Sequence, residues 1–287
     1  MPSKIKRIYI VTKMGDRGAL DLGREICAWL AARGVTVMVR EHCQDSGGCL
    51  LEEPGRPDMA LVLGGDGTLL SVARKAMPTG IPLLGVNMGH LGFLTKADAS
   101  DWPARLERIL ERILERGLEV EERMALRCEI VRDGQVVRRG TAVNDIVVSR
   151  GAMARLVRLR LFCQGEPVAA LRADGVIVSS PTGSTAYAVS AGGPIIHPGL
   201  EAIGVTAVCS FMGILRSLVV PANFSVEVLV EESWGEVFLT EDGQQGQRVM
   251  TGDLVRVLRA EQGLRLVSVE GANYFATLQE KGFARQG

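Results

Sequence analysis

The chain has 287 residues, of which 47% are hydrophobic, and its 33 Lys+Arg equal its 33 Asp+Glu. That length accommodates two domains with a sizeable core. Zero net charge lacks the basic excess expected of a protein that holds duplex nucleic acid or an anionic membrane surface, and no apolar run reaches membrane-spanning length.

The first hundred residues alternate strand and helix patterns. IKRIYIVT (5–12) is apolar and rich in β-branched residues, which predicts a buried strand. In 17–34, Leu22, Ile26, Trp29 and Leu30 fall at helical spacing, and Gly34 is a natural stop. VTVMVRE (35–41) is a second strand, and 43–57, rich in Gly, Pro, Asp and Ser, is a loop. MALVL (59–63) is a third strand. A helix follows over 68–77, with Leu69, Leu70, Val72, Ala73, Ala76 and Met77 on its period and Pro78 as its stop. IPLLGVN (81–87) is a fourth strand. Such alternation implies a parallel, Rossmann-like sheet over 1–98. ASDWPARLERILERILERG (99–117) reads as an amphipathic connecting helix with its charges to one side.

The texture then changes. CEIVRDGQVVRRG (128–140) alternates about Asp133-Gly134, the mark of a type I′ hairpin. Short strand patterns with turn signals between them continue through 118–269 and predict an antiparallel, β-sandwich-like second domain. NYFATLQEKGF (273–283) reads as a terminal helix. The fold class is therefore α/β plus all-β.

The six cysteines (27, 43, 49, 128, 163 and 209) form no C-x-x-C pair. Cys43 and Cys49 lie near His42 but lack a fourth ligand, so no metal site is read there. Scattered cysteines fit reduced thiols in a cytosolic protein. The N-terminal MPSKIKRIYIVT has no long apolar stretch of the signal-peptide kind.

Three runs could carry chemistry. The first is Gly64-Gly65-Asp66-Gly67-Thr68, where apolar residues flank a lone acid among glycines. Asp-Gly between apolar runs is a hairpin signal, but the helical period after it favours a strand-to-helix turn. Glycines there let N–H groups approach a phosphate, aided by the helix dipole. Asp66 could hold the water shell of a Mg²⁺ ion, accept a proton from an attacking hydroxyl, or merely cap the helix. The second run is 174–194, with hydroxyls at 179, 180, 182, 184, 185, 187 and 190 and one aromatic, Tyr187. It offers hydrogen bonds to sugar hydroxyls and a flat face to a base. The alternative is a helix-capping turn with Tyr187 in the core. The third is Asn144-Asp145, two polar residues in an otherwise apolar strand, to be read as ligand contacts or as a strand start. His90, a lone loop histidine, reads as structural. Arg155, Arg158 and Arg160 alternate as a solvated face, and Asp242-Gly243-Gln244 reads as a hairpin turn first and a ligand contact second.

On GGDGT (64–68), VNMGHLGFLT (86–95), VNDIVV (143–148) and above all DGVIVSSPTGSTAYAVSAGGPI (174–195), in this order and spacing, the chain resembles the NAD kinases. GGDGT alone is shared with lipid kinases. The resemblance implies phosphorylation of the 2′-hydroxyl of NAD's adenosine ribose by ATP or polyphosphate, with a divalent metal ion such as Mg²⁺. It implies that Asp66 is the proton acceptor, with Gly64, Gly65, Gly67 and Thr68 about it. It maps NAD contacts onto Asn144, Asp145, Asp174, Thr185, Ala186, Tyr187 and Ser190, with Arg155, Arg172 and Gln244 as further candidates. It also implies a cytoplasmic homodimer or homotetramer, without nucleic-acid or membrane partners, whose residues 270–287 return to the first domain. One run departs from the family: where many members carry Pro-His-Thr-Leu-Ser-x-Arg-Pro, this chain has SFMGILRS (210–217), keeping Arg216 alone. Two rival readings remain at this point: another GGDG-type kinase acting on a lipid or sugar, and a non-catalytic NAD(P)-binding protein.

Overall fold

A computed structural model of the chain describes residues 5–42, 55–89, 92–152, 156–211, 215–271 and 273–284. Cys43, Cys49, His90, Arg155 and most of the 43–57 loop lie outside the described residues. The chain divides into two compact units, Met1–Glu122 with Leu264–Gly287, and Arg123–Gly263.

In the first unit the elements run β1 (Arg7–Lys13), α1 (Arg17–Ala31), β2 (Thr36–His42), β3 (Met59–Leu63), α2 (Asp66–Ala76), β4 (Leu83–Asn87), β5 (Ala97–Asp98), α3 (Ala104–Arg116) and β6 (Val120–Arg123). β1, β3 and β4 pair in parallel with their neighbours, in the order β2-β1-β3-β4. Each of these central strands is apolar on both faces because helices cover the sheet. The order reverses between β1 and β3, and in open parallel sheets ligands bind beyond the carboxyl ends of strands at such a point. Gly64 follows β3 there.

The helix expected as a connector over 99–117 is a core element instead. Leu106, Leu110 and Ile113 of α3 are buried in one cluster with Ile8, Ile10, Leu61 and Val86. An apolar stripe at that spacing loses stability unless it is covered, and this one packs on its own sheet. Glu107 accepts the Trp29 indole N–H at 2.6 Å, tying α3 to α1.

The second unit contains β7 (Leu126–Arg132), β8 (Gln135–Ala142), β9 (Asp145–Arg150), β10 (Val157–Cys163), β11 (Glu166–Ala173), β12 (Gly175–Ser179), α4 (Tyr187–Ser190), β13 (Ala202–Val208), β14 (Leu218–Pro221), β15 (Val226–Glu232), β16 (Val237–Glu241), β17 (Gln245–Val249) and β18 (Leu254–Arg259). They form two antiparallel sheets, β11-β10-β15-β18-β7-β8 and β14-β13-β12-β9-β16-β17. Alternate residues such as Leu159, Val228 and Val257 of one sheet bury against Ile146, Val178 and Leu239 of the other, as in a sandwich. Asp133 and Gly134 have φ of 50° and 76°, the type I′ geometry that their sequence predicts.

The chain ends with β19 (Leu264–Val267) and α5 (Tyr274–Glu280). β19 joins the first unit's sheet between β4 and β6. The unit boundaries therefore fall at 122/123 and 263/264 rather than at 117/118 and 269/270. Turn signals did not mark these limits, because β6 and β19 earn their place by pairing with a distant sheet.

Candidate active site

The turn after β3 is made by two glycines with different tasks. A Cβ at Gly64 would lie 2.7 Å from the Thr68 hydroxyl oxygen and 2.8 Å from its Cβ, so only glycine allows α2 to start so close to the strand. Thr68 is buried there, against that turn, and not on the exposed glycine edge. Gly65 caps α2 in extended conformation without a side-chain hydrogen bond, and Gly65 and Gly67 are exposed. This glycine-rich helix N-terminus, with a positive dipole and no side-chain cap, suits an anion.

Asp66 is the first residue of α2 and neither caps it nor sits in a hairpin. Its carboxylate accepts the backbone N–H groups of Phe93 at 2.8 Å, Leu94 at 3.3 Å and Thr95 at 3.0 Å, and the Thr95 hydroxyl at 3.0 Å. A Cβ at Gly92 would fall 2.0 Å from Asp66 Oδ1. The loop after β4 is thus folded around this one acid. Oδ1 receives three of the contacts, whereas Oδ2 receives Phe93 N–H and a 3.4 Å approach from Leu94. Oδ2 is therefore the less occupied oxygen, its second contact being the long one from Leu94, which is shared with Oδ1. Phe93, which the acid positions, packs against Tyr274 and Phe283 at ring distances of 6.2 and 5.9 Å, so the C-terminal segment returns to this loop.

In the second unit, Asn144 and Asp145 stand where β9 begins. Val143 and Asp145 are buried and Asn144 between them is half-exposed. The Asn144 carbonyl accepts Ser180 N–H at 2.8 Å, and a Cβ at Gly183 would strike that carbonyl oxygen at 2.0 Å. Burial, and secondarily the nearby Asp242 charge, push the Asp145 carboxyl up to about 7.

The hydroxyl-rich run divides. Ser179, Ser180, Thr182 and Ser184 are buried. Ser180 donates to the Val143 carbonyl at 2.6 Å and Ser184 to the Pro181 carbonyl at 2.7 Å, so these two serve the turn. Thr185 and Ala186 are half-exposed, and Tyr187 and Ser190 are exposed. Tyr187 at 47% exposure is no core residue. The helix beneath it, α4, is held by Ala188 against Val147 and Ile177.

Not all predicted contacts come together. β12 pairs with β9 so that Ser179 meets Asp145 while Gly175 meets Ser149. Asp174, one residue beyond Gly175, therefore lies at the far end of these strands from Asn144, roughly 20 Å away at 3.4 Å per residue. It is engaged in a 2.5 Å ion pair with Arg150. Arg172 is exposed on β11, in the other sheet of the sandwich. Arg158 and Arg160 pair with Glu232 and Glu231, as a solvated face would. Gln244 belongs to the β16–β17 turn, where Asp242 and Gly243 have positive φ and the Asp242 N–H donates to the Asp145 carbonyl. Sequence reasoning did not single out Gly92, Gly183 or Arg150. Gly92 sits in a Gly-rich loop and Gly183 in a Pro-Thr-Gly-Ser-Thr turn, but the need for glycine at each comes from atoms brought close by the fold.

Among the described residues no group of three or more His, Cys, Asp and Glu could hold a metal ion. One carboxylate, substrate phosphates and water are the usual setting of a Mg²⁺ ion carried on a nucleotide, and Asp66 fits that donor set.

Known proteins bear directly on this arrangement. The family profile for the ATP-NAD kinase N-terminal domain matches residues 8–115 and that for the ATP-NAD kinase C-terminal domain matches 143–269. The NAD kinase of Nitratidesulfovibrio vulgaris (strain DSM 19637 / Miyazaki F) is 45% identical over 99% of both chains. That of Oleidesulfovibrio alaskensis is 43% identical over 99% of this chain and 96% of its own. The crystal structure of yeast NADH kinase complexed with NADH has a TM-score of 0.85 at 27% identity, covering 99% of this chain and 90% of that one. An Archaeoglobus fulgidus NAD kinase in complex with ATP has a TM-score of 0.76 at 27% identity, covering 96% and 98%. With both its domains matched and relatives this similar along almost its whole length, the chain belongs to the NAD kinase family.

Proposed function

We propose that this chain transfers the γ-phosphoryl group of ATP, or a terminal phosphoryl of polyphosphate, to the 2′-hydroxyl of the adenosine ribose of NAD, making NADP. The observation that carries this reading is Asp66: a carboxylate locked by the 93–95 loop, with Oδ2 its less occupied oxygen, at a glycine-rich helix N-terminus that has no side-chain cap. NADH and ATP, bound in the yeast and archaeal relatives, support the two substrate classes.

In this mechanism Asp66 Oδ2 accepts the 2′-hydroxyl proton as the ribose oxygen bonds to the γ-phosphorus and the bond to the leaving phosphate breaks. Gly64, Gly65, Gly67 and the start of α2 receive phosphate through backbone and dipole. Thr68 supports them from beneath. A divalent ion arriving with the nucleotide supplies charge neutralisation, with Asp66 as the protein group able to reach its water shell. On the second unit, Asn144, Asp145, Thr185, Ala186, Tyr187, Ser190 and Gln244 are assigned to NAD, Tyr187 offering its exposed ring to a base. Asp174 and Arg172 are further assigned contacts, away from these, and Arg155, outside the described residues, is assigned by the resemblance alone. The same reading takes the protein as a cytoplasmic homodimer or homotetramer. The test is mass spectrometry after incubation with NAD⁺ or NADH, ATP or polyphosphate, and Mg²⁺. NADP(H) formation supports the proposal, and nucleotide binding without turnover overturns it in favour of a non-catalytic binder.

A further inference from the structure

The β16–β17 turn holds a second acid arranged like Asp66. Asp242, at φ 53°, accepts the backbone N–H groups of Val143 at 3.1 Å, Asn144 at 2.7 Å and Asp145 at 3.3 Å. The pairing is reciprocal, since Asp242 N–H donates to the Asp145 carbonyl at 3.0 Å. β9 pairs with its neighbours only from Asp145 onward, so residues 143 and 144 have left the ladder. A side-chain anion takes over their N–H groups at the point where the backbone must diverge. The opposite side of the same segment is closed by Ser180, which donates from N–H to the Asn144 carbonyl and from its hydroxyl to the Val143 carbonyl. Gly183 packs directly against the Asn144 carbonyl. The turn itself is anchored. The buried Glu241 pairs with Arg138 at 2.7 Å and accepts Thr141 N–H at 3.2 Å.

We infer that Asp242 is a positioning residue for NAD, holding the Val143–Asp145 backbone so that Asn144 and Asp145 keep one orientation. This rests on the proposed NAD kinase reading, and it adds a residue that acts through the contacts without touching substrate. A turn acid that merely stabilised the hairpin would lower thermal stability alone. A positioning acid also sets affinity for one nucleotide, because a misplacement of about 1 Å in a binding group can cost up to about a hundred-fold.

The test compares the full-length wild type with Asp242→Asn, which keeps one acceptor oxygen, and Asp242→Ala, which keeps none. Calorimetry gives Kd for NAD and for ATP, and amide hydrogen exchange follows Val143, Asn144 and Asp145. The expected result is NAD affinity weakened about ten-fold or more in Asp242→Ala and less in Asp242→Asn. ATP affinity stays within about two-fold, and the three amides exchange faster in the same graded order. Unchanged NAD affinity in either folded variant, or equal loss for both nucleotides, overturns the inference. Should Asp242→Ala not fold, Asp242→Asn carries the same comparison alone. Wild-type turnover is measured separately, so NAD binding without NADP formation would remove the kinase proposal and leave Asp242 to be judged on affinity.

Discussion

Replacing Asp66 with asparagine separates two tasks that this acid combines. Asparagine offers one carbonyl oxygen and one amide group in place of two acceptors. If its oxygen takes the Oδ1 place it can serve Leu94, Thr95 N–H and the Thr95 hydroxyl, but its amide then confronts the Phe93 N–H that now lies 2.8 Å from Oδ2. The opposite rotamer sets the amide against more donors. One hydrogen bond is therefore lost and one donor left facing another, at a cost of about 1–3 kcal/mol. That corresponds to a fall in melting temperature of roughly 2–12 °C at about 2–4 °C per kcal/mol. The variant also loses the proton acceptor, for which a drop in kcat of about 10²- to 10⁴-fold is expected. Thr95→Val supplies the comparison. It removes the hydroxyl that donates to Asp66 and accepts Gly92 N–H at 3.1 Å, but spares the carboxylate. It should lose similar stability and far less turnover. Calorimetric melts and initial rates on both variants decide the matter. Asp66→Asn turnover within about ten-fold of wild type would refute the acceptor role, and an unchanged melting temperature would refute the loop tether.

Gly183→Ala should weaken NAD binding and lower stability by at least about 1–3 kcal/mol, because its Cβ would sit 2.0 Å from the Asn144 carbonyl oxygen; a denaturant titration with normal stability would contradict the close packing. Tyr187→Ala should leave stability within about 0.5 kcal/mol, the ring being 47% exposed, while raising KM for NAD roughly ten-fold if a base packs on it. An unchanged KM removes Tyr187 from the site. Asp145→Asn tests the raised carboxyl. With a folded value of about 7 against an unfolded value of roughly 3.9, the folded chain keeps a proton that the unfolded chain releases between these limits. Stability from this group is complete below the lower value and is lost as pH rises through the upper one, at about 1.4 kcal/mol per pH unit. Asp145→Asn should therefore gain on wild type from pH 5 to pH 7.5 in urea melts, and parallel curves would show that Asp145 titrates normally.

Local patterns in the chain were enough to determine much of this protein. Apolar runs set β1, β3 and β4 between helices, and an alternating run about Asp133-Gly134 set a type I′ hairpin, since burial period and turn chemistry are properties of neighbouring residues. The glycine turn after β3 and the run through Tyr187 were legible for the same reason. What only the tertiary structure decided is what each polar side chain meets. Asp66 finds its donors 27–29 positions away and Asp242 finds its own 97–99 positions away, distances at which no sequence period operates. The 99–117 helix read as a connector, and its apolar stripe became core only because a sheet covers it. Asp174 and Tyr187 read as one motif, yet the strand between them carries the acid to the opposite end of the sheet. Burial can be written into a short segment, but hydrogen-bond partners and glycine clearances exist only once distant segments are brought within a few ångströms.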